Sequence, residues 1–135
     1  MSSTREKSVE SEKITVNLSF VDLGRVDLLV QEGFYSNRAD FIRTAIRHQL
    51  QTDGEVVHRS LARHTLELGL REFSRADLEK VKRANEHLHI KIVGLARIAS
   101  DVTPELALAT IGSITVLGVL QASNDVKAAL ADRIH

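Results

Sequence analysis

Lys13-Ile14-Thr15-Val16-Asn17-Leu18-Ser19 alternates strictly between polar and apolar side chains. Ile14, Val16 and Leu18 fall on one face, and Lys13, Thr15, Asn17 and Ser19 on the other. A period of two marks a half-buried strand. A single strand is not stable in water and must pair. No second strand pattern follows nearby, so the expected partner is the same strand of another chain.

Beyond this strand the period changes. Val26, Leu29 and Val30 stand at i, i+3, i+4, the spacing of one helix face. Asp22 suits the start of that helix, and Gly33 suits the residue just past its end, where φ must be positive. Ser36 and Asn37 are both good N-cap types for a second helix. That helix carries Phe41, Ile42, Ala45, Ile46 and Leu50 on one stripe, with Arg38, Arg43 and Arg47 largely outside it. It should end near Thr52-Asp53-Gly54. Residues 54–64 then read as a linker, either a helical extension or a connecting strand.

The remainder, 65–135, contains three segments that align on a glycine. They begin at Leu68-Gly69-Leu70, Val93-Gly94-Leu95 and Leu117-Gly118-Val119. Each combines an apolar run, a turn rich in Ser, Asp or Asn (Ser74, Ser100-Asp101, Ser123-Asn124), and a helical stretch. The helices are expected near 75–86, 103–110 and 124–134. Consecutive βα units of this length build a parallel sheet with helices packed against it. Leu106 to Asn124 has no charged residue, but its polar interruptions and the lack of a flanking basic cluster oppose a membrane span. A strand buried on both faces accounts for it better.

The composition sets limits. The chain has 135 residues, 43% hydrophobic and 27% charged, which excludes wholesale disorder. It has no Cys, which removes disulfides, thiolate metal sites and cysteine nucleophiles, and fits a reducing, cytoplasmic setting. Residues 1–12 are polar without an apolar core, so they read as a flexible arm rather than a signal peptide. The 18 basic and 18 acidic residues cancel, so any nucleic-acid site must come from local placement of charge.

The strand, the Gly33-terminated helix, the Ser36-Asn37 cap and the amphipathic second helix, in that order, resemble the ribbon-helix-helix fold of the MetJ/Arc/CopG-type regulators. The most specific part is Tyr35-Ser36-Asn37-Arg38 followed by Phe41-Ile42-Arg43-Thr44-Ala45-Ile46-Arg47. The resemblance covers residues 13–51. It implies an intertwined ribbon-helix-helix dimer over 13–53; with the C-terminal module of about three βα repeats read from the glycine-aligned segments, the expected fold is α+β. In such a dimer Lys13, Thr15 and Asn17 project from a two-stranded ribbon into the major groove of double-stranded DNA. There Lys can donate to guanine, Asn can bridge adenine, and Thr can meet the thymine methyl. Ser36, Asn37 and Arg38 stand at the positive end of a helix dipole, suited to a backbone phosphate. Arg5 and Lys7 of the arm could add phosphate contacts. Residues 1–52 hold seven basic and seven acidic residues, so non-specific affinity should be modest and salt-dependent.

His87 and His89 form an H-x-H pair of the kind that can bind a transition metal, and nickel-responsive ribbon-helix-helix regulators do bind metal in a C-terminal domain. This chain departs from them in having no Cys and in its repeated βα order, so two strand-edge histidines, no metal and no cofactor are expected. No nucleophile elbow, zinc-protease, P-loop or dinucleotide motif is present, and no catalytic residue is assigned. The leading expectation is a homodimeric, sequence-specific repressor. The alternatives are an antitoxin that regulates its own operon and binds a toxin protein, and a DNA-anchored assembly or partition protein. The uncharged strand Ile114–Leu120 is expected to pair with another chain, giving a closed dimer of dimers through residues 111–122.

Overall fold

The computed structural model describes residues 11–135. The expected arm, including Arg5 and Lys7, lies almost entirely outside the described residues. Along the chain run α1 (Phe20–Gln31), α2 (Arg38–Thr52), α3 (Gly54–Arg63), β1 (Glu67–Phe73), α4 (Arg75–Arg83), β2 (Leu88–Ile98), α5 (Pro104–Thr110), β3 (Ile111–Gln121), α6 (Asn124–Ala129) and a 3-10 turn (Ala131–Arg133). The chain divides into two compact units, 1–58 and 59–135, and the division falls inside α3. The stretch read as a linker is therefore largely helix.

In the first unit, α1 begins earlier than Asp22. Ser19 is its N-cap, and the Ser19 hydroxyl accepts from the Asp22 N–H at 3.1 Å. Asp22 sits one turn in, where its charge favours the helix N-terminus. The helix ends as expected. Phe34 N–H donates to the Leu29 carbonyl and Gly33 N–H to the Val30 carbonyl, the paired bonds of a glycine-terminated helix, with Gly33 at φ +87°. Tyr35 and Phe41 then meet edge to face at 5.0 Å across the turn into α2. Residues 11–19 carry no regular secondary structure in the single chain.

The second unit is a three-stranded parallel sheet in the order β1-β2-β3. Right-handed crossovers between strands laid down in one direction place every helix on the same face. Accordingly α4 packs on α5 and α5 on α6, and one core forms between this helix layer and the sheet. Leu78, Ile92, Ile111, Ile114, Val126 and Leu130 are fully buried in it. Among the described residues of this unit, no helix layer covers the opposite face. Leu68 and Leu117 stand there 66% and 58% exposed. β3 is thus not buried on both faces, and its apolar run has a different origin from the one expected. No helix among the described residues is long and apolar enough to cross a membrane.

Gly69, Gly94 and Gly118 are direct register partners across the three strands, all at positive φ. A Cβ on Gly94 would come within 2.2 Å of the Gly69 carbonyl oxygen, and one on Gly118 within 2.1 Å of the Gly94 oxygen. Only glycine permits this approach. The three βα turns are capped alike: Ser74, Thr103 and Ser123 each accept from the N–H three residues on. The middle cap is Thr103 rather than the Ser100-Asp101 turn, because Pro104 fixes the first helical position behind Thr103. The terminal segment returns to the sheet. Arg133 donates to the carbonyls of Leu108 and Ile111, both at 2.8 Å, and Ile134 makes an isolated parallel bridge to Ile114.

Candidate nucleic-acid interface

Lys13, Thr15 and Asn17 are exposed in the extended stretch that leads directly into the Ser19 cap of α1. The intervening Ile14, Val16 and Leu18 are exposed as well, Val16 by 69%. The apolar side of this stretch therefore finds no cover among the described residues. The same holds for the stripe of α2, where Ile42, Ile46 and Leu50 are all exposed. Among the described residues of this unit, Val26 is the one buried apolar side chain. The two uncovered apolar sets leave the polar residues 13, 15 and 17 on the opposite side of the alternation.

Ser36, Asn37 and Arg38 are brought together at the start of α2, each with its own local bond. Asn37 is the N-cap, and its side-chain oxygen accepts from the Asp40 N–H at 2.8 Å. The Asp40 carboxylate in turn accepts from the Ser36 N–H at 2.9 Å. This reciprocal pair orders the turn, and it also occupies the Ser36 N–H and adds a negative charge to the helix end. The first-turn N–H groups of Arg38 and Ala39 have no partner within the helix by construction. They are the backbone donors that remain for an anion.

Arg38 makes a two-pronged ion pair with Asp27 of α1, Nε to Oδ1 at 2.7 Å and Nη2 to Oδ2 at 2.8 Å. The hydrogen bonds from Arg38 hold the Asp27 carboxyl below its ordinary value, and Asp27 raises Arg38 in return. Arg38 thus ties α1 to α2, with Nη1 left to reach outward. Two contributors to this corner, Asp27 and Asp40, were not among the expected site residues. Asp40 had a local signal, an acidic residue three positions after an N-cap. Asp27 had none, since it lies 11 residues from its partner.

His89 sits on β2 with Nδ1 at 2.8 Å from the Ser113 hydroxyl, and its ring packs over Gly112. His87 precedes the strand. No group of three or more potential metal ligands occurs among the described residues.

The first unit is thus a short helix pair with a polar-capped second helix, preceded by an alternating segment that pairs with no strand among the described residues. The sequence profile of the ribbon-helix-helix transcriptional regulator family matches residues 9–127, and the chain belongs to that family. The match extends well past 13–51 and takes in all three strands of the second unit. The protein is therefore a DNA-binding regulator of transcription by family. No curated protein and no solved structure matches the chain.

Proposed function

We propose that the protein is a homodimeric, sequence-specific repressor whose two 13–19 segments pair as a β-ribbon in the DNA major groove. The observation that carries this reading is the uncovered apolar set of the first unit. Ile14, Val16 and Leu18, together with Ile42, Ile46 and Leu50, lack a core, and a unit of this size is too small to be stable without one. A two-fold partner supplies the cover and leaves Lys13, Thr15 and Asn17 facing the base edges. Ser36, Asn37 and Arg38 then fix register on phosphate, through the first-turn N–H groups of α2 and the outward Nη1 of Arg38. Repression needs only affinity and position at a promoter, which such a dimer supplies in the cytoplasm.

In this reading the C-terminal module of three βα units adds contacts between dimers through residues 111–122. The folded sheet and its helix layer favour an assembly role over a flexible toxin-binding tail. Selection of bound duplexes from a random pool at a stated salt concentration tests the proposal. Enrichment of a two-fold symmetric site is expected. Retention of DNA without enrichment of any sequence would refute specific regulation.

A further inference from the structure

The two edges of the C-terminal sheet differ, and they differ in a complementary way. At Gly94 and Gly118 the space of a Cβ is filled by the carbonyl of the glycine on the preceding strand. Gly69 has the same unusual backbone, φ +131°, yet nothing lies within 4 Å of its Cβ position. Among the described residues no strand precedes β1 in the sheet, so the place a glycine carbonyl would occupy is open. The far edge, β3, has such a carbonyl at Gly118. Its first part is taken, because Ile134 bridges Ile114 and the His135 N–H donates to the Ile114 carbonyl at 2.8 Å. From Val116 onward it has no strand partner on that side among the described residues.

We infer that the β3 edge of one copy docks against the β1 edge of another, head to tail, continuing the parallel sheet with Gly118 of one beside Gly69 of the next. This deepens the assembly part of the proposed function and replaces a two-fold β3–β3 contact with an unlike one. The lengths agree. Within the chain Glu67 pairs with Ile92 and Ile92 with Val116, so a docked β1 begins opposite Val116, just past the residues covered by Ile134. The open sheet face agrees as well. Leu68, Val93 and Leu117 form one cross-strand row, and Leu70, Leu95 and Val119 another. Docking places Leu117 beside the next copy's Leu68, and Val119 beside its Leu70. That covers flanks of the most exposed leucines of the module.

The area indicates how strong such a contact can be. Seven strand residues span about 23 Å, and a sheet with one helix layer is about 20 Å deep, so each copy contributes roughly 450 Å². The total of about 900 Å² falls below a standard stable interface. The contact is therefore weak between isolated molecules and is strengthened when dimers sit side by side on one DNA molecule. Being unlike at its two ends, it leaves an open edge after each addition, so it extends rather than closes.

The absence of cysteine makes the register testable in the full chain. The double variant Leu70→Cys/Val119→Cys is treated with a thiol-bridging reagent that spans about 5 Å, the distance between strands. The DNA used carries tandem sites taken from the random-pool selection. A ladder of covalent dimers, trimers and larger species is expected, at least tenfold more than from Leu68→Cys/Val119→Cys, whose thiols lie about 8 Å apart in the same arrangement. Adding Gly69→Ala, with its fold checked by circular dichroism, should abolish the ladder, since the new Cβ meets the neighbour's glycine carbonyl. Efficient linking by Val119→Cys alone would show a β3–β3 contact and overturn the inference. So would equal linking by both pairs, or no ladder from the first pair. Binding to a single site is measured in parallel. If the ladder fails while single-site binding persists, the edge pairing is wrong and the regulator reading stands. Loss of specific DNA binding in the unmodified chain would refute that reading instead.

Discussion

Val16→Asp separates dimerisation from the folding of the C-terminal unit. Val16 is 69% exposed in the isolated chain, so a carboxylate there disturbs nothing within it. In a dimer ribbon the same position faces the helices. Complete burial of a valine side chain is worth about 1.5–3 kcal/mol. Covering the remaining two thirds is then worth about 1–2 kcal/mol per chain, or about 2–4 kcal/mol per symmetric dimer. Losing that contribution raises the dimer Kd about 30- to 700-fold, and desolvation of the introduced carboxylate adds to the loss. Sedimentation velocity over a dilution series reads the Kd, and circular dichroism of the same samples reads the helices of the C-terminal unit. The expected result is a monomer at concentrations where the unmodified protein is dimeric, with the C-terminal unit intact. A dimer Kd within threefold of the unmodified value would refute the burial of Val16 between chains, and with it the ribbon.

Asn17→Ala should cost about 1–3 kcal/mol on the selected site and almost nothing on random DNA, by titration at one salt concentration. Equal losses would show that Asn17 does not read bases. Arg38→Ala should lower affinity for all sequences and reduce the salt slope by about one, whereas Asp27→Asn, which loosens the same ion pair, should leave the slope unchanged. A slope reduced by both would make Arg38 a helix clamp and nothing more. Both Gly69→Ala and Gly94→Ala force a side chain into a positive-φ backbone, but only Gly94→Ala drives a Cβ onto a carbonyl within the chain. Gly94→Ala should therefore be less stable by a further 1–3 kcal/mol or so in urea unfolding. The Asp77 carboxyl lies below its ordinary value of 3.8, held there first by the Ser74 N–H and then by the Ser74 hydroxyl. A lowered folded value means that its stabilising contribution is complete above the ordinary range and is lost as pH falls through the lowered value. The melting-temperature difference between the protein and Asp77→Asn should accordingly be constant from pH 7 to about 5 and shrink below about 4. A constant difference down to pH 2.5 would contradict the assignment.

What could be read along the chain was whatever depends on a few neighbouring residues. The alternation over 13–19, the Gly33 stop, the Asn37 cap and the glycines of the second unit are local, because strand period, helix period and cap geometry span only two to five positions. The middle helix, expected near 103–110, begins where it was read, with Thr103 as its cap ahead of Pro104 and the Ser100-Asp101 turn just before it. Contacts between distant residues needed the tertiary structure. The Arg38–Asp27 ion pair joins two helices across a turn, and its existence depends on how α1 and α2 pack. The glycine spacing suggested a repeat, whereas the unstaggered register that presses Gly94 and Gly118 onto neighbouring carbonyls came from strand pairing. The exposed face of the sheet was equally hidden. An apolar run reads the same whether one face or two are covered, and it is the common hand of successive crossovers that puts all the helices on one side.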